Sequence, residues 1–212
     1  FFLQKGFGFS SVAYGRIALL IGFAWFLGNT LSRVLISINF KQKCYFVSEH
    51  KITVWTSVPS VANFLSKFNS LKSNYFSSLR YAFFCGEPLL ADIAEEFSHA
   101  APKAKIINLY GPTEAAVFFT EYEFSPKSAE CPNGIVPIGK PFDSLNIKII
   151  GEDDQPVQIG DVGELLLSGP QVVSSYWADQ ELTSERFVEV CWSDQKKVVW
   201  YKTGDLVKLD NN

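Results

Sequence analysis

Methionine is absent from the 212-residue sequence, position 1 included, so the chain reads as an internal segment of a longer protein. Acidic side chains are missing before Glu49, so the N-terminal stretch offers no carboxylate to pair with a cation. Histidine occurs only at 50 and 99, and the four cysteines, Cys44, Cys85, Cys131 and Cys191, are scattered with no CxxC pair. A zinc site and a disulfide framework are thereby disfavoured, and the cysteines are expected to be buried free thiols of a reducing compartment. No Lys/Arg run interleaved with aromatics occurs, and the net charge is -3 with a pI near 5.5, which argues against a nucleic-acid groove. Small-molecule partners fit that charge better. The uncharged run between Arg16 and Arg33 is too short and too interrupted, by Gly22, Gly28, Asn29, Thr30 and Ser32, for a membrane span of about 20 apolar residues. A buried helix and strand are expected there, and no signal-peptide cleavage pattern follows.

What is present is an ordinary globular balance, 47% hydrophobic and 19% charged, without internal repeats or low-complexity stretches. Residues 52–57 (ITVWTS) are β-branched and aromatic and run into Pro59, which predicts a short buried strand turning into a helix. Tyr81 to Cys85 is a second apolar run, stopped by Gly86. Pro88 is expected in a first helical turn, and Leu90, Ile93, Ala94 and Phe97 recur at helical spacing. Lys105 to Leu109 predicts a third strand, ending at Tyr110-Gly111-Pro112. Such a βαβ unit requires parallel strands joined by a right-handed crossover. Ligands of open parallel sheets sit beyond the strands' carboxyl ends, where the turns CGE (85–87) and YGPTE (110–114) would emerge side by side.

From Cys131 onward Pro and Gly multiply and short runs, NIKII (146–150) and GELLLS (163–168), alternate with turns such as GEDDQ (151–155). Residues 131–212 therefore read as a β-rich subdomain with one short helix near Thr183 to Phe187, and residues 1–130 as the α/β part of the same core. The sequence stops directly after a strand-like YKTGDLVKLDNN without a capping element.

On its own, YGPTE offers a Gly-Pro turn that exposes backbone amides, a hydroxyl at Thr113 and a carboxylate at Glu114, a set suited to a metal-bound phosphate. A plain turn with a helix-capping Thr and a first-turn Glu is the other reading. NLYGPTE (108–114), GELLLSGPQVVSSYW (163–177) and YKTGDL (201–206) occur in one order, and together they resemble the adenylate-forming superfamily. The similarity is greatest to adenylation domains of nonribosomal peptide synthetases and to D-alanine–carrier protein ligases, and it covers residues 46 to 210.

That resemblance implies an incomplete large N-terminal domain with a parallel α/β sheet and a β-rich subdomain, and no C-terminal lid. It implies a ligase that activates a carboxylic acid, usually an amino acid, with ATP and Mg²⁺ to an acyl-AMP, in the cytoplasm. The acyl group then passes to the phosphopantetheine thiol of a carrier protein, with neither nucleic acid nor membrane as partner. Asn108 would meet the adenine amino edge, Tyr110 would stack on the base, and Gly111 would belong to the same turn. Thr113 would contact the α-phosphate and Glu114 would hold Mg²⁺. Asp205 would accept from both ribose hydroxyls, an ionised acceptor roughly doubling each bond. Tyr201 would lie near the ribose, and Gly86 with Glu87 would border the nucleotide. The acid would lie against Thr56, Phe83, Cys85, Leu109, Val117 and Phe118, an apolar set favouring a small or medium side chain; alternatively several of these are simply core. Gly163, Glu164 and Gly169 read as fold-bearing positions outside the site.

Family members also carry an upstream phosphate loop and a downstream domain with a catalytic lysine, neither of which is in this sequence. Amino-acid-activating members have an Asp in a Phe-Asp-x-Ser type segment that pairs with the α-ammonium, where this sequence reads FGFSSVAYG (7–15). Three expectations follow: an amino-acid-activating parent with a divergent N-terminal stretch, a parent that takes an aryl, fatty or other acid lacking an α-amino group, or a non-catalytic nucleotide-binding remnant. The segment alone is expected to be inactive.

Overall fold

The computed structural model describes residues 40–126, 131–191 and 197–210. The expectations for residues 7–15 and 17–32 lie outside the described residues. Contacts divide the chain at His50. Of the first unit the described part is helix α1 (Phe40–Glu49) with His50, whose ring stacks on Phe46 at 3.9 Å. Everything from Lys51 onward forms the second unit.

The second unit begins with strand β1 (Val54–Ser57), helix α2 (Pro59–Lys67), strand β2 (Tyr81–Cys85), helix α3 (Ala91–Ala100) and strand β3 (Lys105–Tyr110). The three strands pair in parallel, Thr56 beside Phe83 and Phe83 beside Ile107, as the βαβ pattern requires. Because side chains alternate along a strand, this register sorts them into two sets. Trp55, Ala82, Phe84, Ile106 and Asn108 share one face, and there Trp55 and Phe84 meet Phe97 of α3 at 5.8 and 5.2 Å between ring centroids. Thr56, Phe83, Cys85 and Leu109 share the other. Helix α2 has proline at its first turn, where the missing N–H costs nothing, and buries Ala62 and Leu65.

Two helix starts differ from expectation for visible reasons. Pro88 lies before α3 rather than in its first turn: Leu90 is extended (φ -73°, ψ 138°) and bridges Ile135, while the Leu89 carbonyl accepts from the Val136 N–H. The short late helix, α4, runs over Gln180–Arg186 instead of Thr183 to Phe187. It starts early because the Asp179 carboxylate caps the Leu182 N–H at 3.0 Å, and it stops early because Phe187 pairs with Tyr201.

Beyond β3 the first sheet turns antiparallel. Strands β4 (Thr120–Phe124) and β5 (Lys140–Pro141) extend it, so the order is β1-β2-β3-β4-β5. The second sheet is wholly antiparallel: β6 (Asn146–Ile150), β7 (Val162–Ser168), β9 (Lys197–Lys208) and β8 (Phe187–Cys191), in that spatial order. The change of sheet thus falls between Pro141 and Asn146, downstream of the change in texture at Cys131. A core of Ala115, Phe119, Leu145, Leu165 and Leu167 joins the sheets, with Tyr110, Phe142 and Ile149 packed against it. Among the described residues Cys44 and Cys85 are buried and free, whereas Cys131 is free but only half-buried, since it opens the surface turn at Pro132–Gly134. Burial pushes all three thiols above their ordinary pKa. No group of His, Cys, Asp and Glu suited to a metal occurs among the described residues, and no helix there is long and apolar enough to cross a membrane.

Candidate functional site

The segment YGPTE is the tip of a hairpin. Strand β3 ends at Tyr110, the chain loops through a 3-10 turn at Thr113–Ala115, and β4 returns with Thr120 opposite Tyr110. The loop closes on itself: the Phe119 N–H donates to the Tyr110 carbonyl at 2.8 Å and the Val117 N–H to the Pro112 carbonyl at 3.1 Å. Glycine is required at 111, because a Cβ there would sit 2.6 Å from the Val117 carbonyl oxygen. Ala116 and Val117 are both left-handed, φ 56° and 71°, an arrangement that is strained for a β-branched residue and typical of functional loops. This kink leaves the side chains of Val117 and Phe118 exposed.

A second segment, 169–176, clamps that loop. Gln171 Nε2 donates to the carbonyls of Ala115 at 2.6 Å and Phe118 at 2.8 Å, and the Val173 N–H to the carbonyl of Glu114 at 2.9 Å. The Tyr176 hydroxyl donates to Glu114 Oε1 at 2.7 Å and lies 3.4 Å from the hydroxyl of Tyr201. Burial pulls the Glu114 carboxyl upward, but hydrogen bonds from Tyr176, its own backbone amide and Tyr201, with the charge of Arg186, outweigh it and hold the group below the usual carboxylate range. Burial, and then its bonds to Tyr201 and Glu114, push the Tyr176 hydroxyl far up, so it stays a donor at any ordinary pH.

A pH prediction follows from that geometry. A carboxyl depressed on folding adds stability above its unfolded pKa of about 4.3, and the addition is lost as pH falls through the folded value. Tyr176→Phe removes one donor and raises the folded value toward the unfolded one, so less stability is added and its loss is expected to be complete at a higher pH. Carbon-13 titration of the Glu114 carboxyl with acid-unfolding midpoints measures this; an unmoved Glu114 titration would rule it out.

Asp205 lies in β9, whose pairing with β7 is irregular at this point. Glu164 pairs with Leu206 but Leu166 pairs with Lys202, so Thr203, Gly204 and Asp205 form a bulge. The bulge carries Asp205 out to Tyr110, whose hydroxyl donates to Oδ2 at 2.6 Å. Burial first, and then this bond and the Asp205 charge, push the Tyr110 hydroxyl far above its ordinary pKa. Tyr110, Glu114, Tyr201 and Asp205, 95 residues apart at the widest pair bonded here, thus converge where the two sheets meet.

The other expected site residues occupy distinct places. Asn108 is buried on the helix-covered face, its Nδ2 donating to the carbonyls of Val136 at 3.1 Å and Pro137 at 2.9 Å, with Oδ1 outside those bonds. Gly86 is left-handed (φ 91°) at the end of β2. Glu87 beside it turns its carboxylate to α2, accepting from the Ser60 N–H at 2.8 Å and the Ser60 hydroxyl at 3.2 Å. Thr113 is exposed in the 3-10 turn. Thr56, Phe83, Cys85 and Leu109 line one face of the parallel strands, and the Cys85 thiol reaches the Val117 carbonyl at 3.7 Å, so Val117 and Phe118 adjoin that face. Sequence reasoning missed Tyr176 and Gln171. Both lie in a motif it quoted, but nothing in the motif says which side chains turn back to contact a loop more than 50 residues away.

Comparison with known proteins places this arrangement. The family model of the AMP-binding enzymes matches residues 17–177. The D-alanine–D-alanyl carrier protein ligase of Bacillus licheniformis is 32% identical over 186 residues, 87% of this chain and 36% of the ligase. A linear gramicidin synthase of Brevibacillus parabrevis is 29% identical over 190 residues, 88% of this chain and 4% of the synthase. Among solved structures, the Vibrio cholerae adenylation domain AlmE in complex with glycyl-adenosine-5'-phosphate superposes with a TM-score of 0.72 at 35% identity, covering 81% of this chain and 32% of that one. The chain therefore spans about a third of the ligase and AlmE chains it matches. With the parallel α/β sheet, the antiparallel second sheet and the three ordered motifs all in agreement, this chain belongs to the AMP-binding enzyme family.

Proposed function

We propose that this chain is the adenylate-binding part of a ligase that activates an amino acid with ATP and loads it onto a carrier protein's phosphopantetheine thiol, acting in the cytoplasm. The observation that carries the reading is the convergence of Tyr110 and Asp205, bonded at 2.6 Å, beside Glu114 at the meeting of the two sheets. A nucleotide laid there would have its base against the Tyr110 ring and its ribose hydroxyls at the Asp205 carboxylate, with Gly86 bordering it. The Asn108 amide protons are engaged with the backbone, so Oδ1 is the atom left to accept from an adenine amino group. Glu87 would border the nucleotide through its backbone, its carboxylate being engaged with α2.

Glu114 fits a magnesium ion chemically. It is an oxygen donor held ionised, and Tyr176 engages Oε1 alone. The ion, when bound, would neutralise charge on the phosphates. The chain's own part is to orient: Thr113 offers a hydroxyl to the α-phosphate, and the Gln171 clamp fixes the loop that presents both. The acid's carboxylate displaces pyrophosphate from the α-phosphorus, and a carrier thiol later displaces AMP from the acyl carbon.

The relatives named for D-alanine and the structure holding a glycyl adenylate support a small amino acid. A second reading, an acid without an α-amino group, is favoured by one specific observation: Thr56, Phe83, Cys85, Leu109, Val117 and Phe118 include no carboxylate. ATP–pyrophosphate exchange by the longer enzyme decides. Exchange with glycine or alanine supports the first reading; exchange with aryl or fatty acids alone establishes the second. Absence of exchange with any acid, by an enzyme that still binds AMP, would leave a non-catalytic nucleotide-binding protein.

A further inference from the structure

We infer that Glu164 is the positioning residue that sets Asp205 for the ribose. This rests on the assignment of Asp205 as the ribose acceptor. The residue is on β7, faces the bulge from across the ladder, and touches no expected ligand position.

The bulge is held by side chains where regular ladder pairing lapses. Gly204 is left-handed (φ 78°), a conformation that suits glycine, and its N–H donates to Glu164 Oε1 at 3.0 Å. Thr203 donates its hydroxyl to the Leu165 carbonyl at 2.8 Å, and the same oxygen accepts from the Asp205 N–H at 3.0 Å. The amides of Gly204 and Asp205 are thus both fixed by side chains. Glu164 in turn has its second oxygen 3.8 Å from Lys202 Nζ, which also lies 4.0 Å from an oxygen of Asp154. The carboxylate is therefore aimed from two sides, at the amide before Asp205 and at a cation.

Asp205 itself is exposed, and the Tyr110 hydroxyl is bonded to its carboxylate. Its direction depends on the backbone beneath it. Without the Glu164 carboxylate the Gly204 N–H turns to water, the bulge relaxes toward regular pairing, and the Asp205 side chain swings away from the meeting of the sheets. A group that acts this way should affect only ligands that use the ribose hydroxyls.

The test compares AMP with 2′,3′-dideoxy-AMP, both titrated calorimetrically into this 212-residue chain. Glu164→Ala is expected to weaken AMP about tenfold, equivalent to about 1.4 kcal/mol, and to leave the dideoxy analogue unchanged. Glu164→Gln keeps an oxygen for the Gly204 amide and should bind AMP nearly as the parent does. Glu164→Asp, one methylene too short, should resemble the alanine variant and serves if that variant does not fold. Added to Asp205→Ala, the Glu164→Ala change should cost nothing further. Equal weakening of both ligands, or no weakening of either while Asp205→Ala loses AMP, overturns the inference. An Asp205→Ala chain that binds AMP as well as the parent instead overturns the ribose assignment beneath it.

Discussion

Replacing Asp205 with alanine is expected to weaken AMP binding about 100-fold, or about 2.7 kcal/mol. On the proposed reading two hydrogen bonds from ribose hydroxyls to the carboxylate are lost, each worth about 1.5–3 kcal/mol. The total should fall just below the sum of about 3–6 kcal/mol for two reasons. Asp205 is exposed, so water competes for its oxygens. The ribose also meets an oxygen already engaged by the Tyr110 hydroxyl at 2.6 Å, and part of what it gains replaces that bond. Two variants separate these contributions. Asp205→Asn keeps one acceptor but loses the charge, and should lie between parent and alanine. Tyr110→Phe frees the carboxylate and removes little of the ring, so stacking persists while the competitor is gone; it should bind AMP as well as the parent or better. Calorimetric titration with AMP reads all three, and an unchanged affinity for Asp205→Ala would exclude the ribose role.

The largest loss of stability is expected at Phe97→Ala, about 3–5 kcal/mol. Phe97 is completely buried on α3 and meets Trp55, Phe76 and Phe84 at centroid distances of 5.8, 5.7 and 5.2 Å. Those rings come from β1, from the chain before β2 and from β2 itself, so one side chain ties the helix to both strands. The alanine leaves a cavity whose walls are rigid aromatic rings, which collapse poorly. Phe97→Leu should lose roughly half as much, because it refills most of the volume. Urea unfolding followed by tryptophan fluorescence and far-UV circular dichroism measures this, and a change below about 1 kcal/mol for the alanine variant would contradict the packing described.

Phe97 also illustrates what could be read in advance. Its recurrence with Ile93 and Ala94 marked the buried helix face directly, since helical periodicity is a local signal, whereas Leu90 of the same pattern lies outside the helix and is exposed. The parallel order β1-β2-β3 followed from the strand, helix, strand alternation. Helix ends were less legible, because Leu90 is drawn into a bridge by Ile135 and Phe187 into β8 by Tyr201, partners distant in sequence. The return of Thr120–Phe124 as an antiparallel neighbour was not foreseen either: its side chains alternate as a strand's do, but nothing in TEYEF names its partner.

In the site, the chemistry of each residue could be named from its type and motif, but not its partners. That Glu87 would cap α2, that Asn108 would commit its amide to Val136 and Pro137, and that Tyr110 would bond Asp205 are consequences of tertiary packing between distant segments. Glu164 looked like a structural residue because its bond to Gly204 spans 40 positions and exists only once β9 is bulged.

If the loop of Val117 and Phe118 borders the acid as proposed, the clamp of Gln171 on the carbonyls of Ala115 and Phe118 bears on any attempt to change that acid. The loop carrying Val117 and Phe118 is held at 2.6 and 2.8 Å by a side chain from another part of the chain, with Val173 and Tyr176 adding two more ties to Glu114. A chimera that transplants residues 111–119 alone would bring a foreign loop under a clamp shaped for this one. The unit of exchange is the pair of segments, 111–119 with 169–176, moved together.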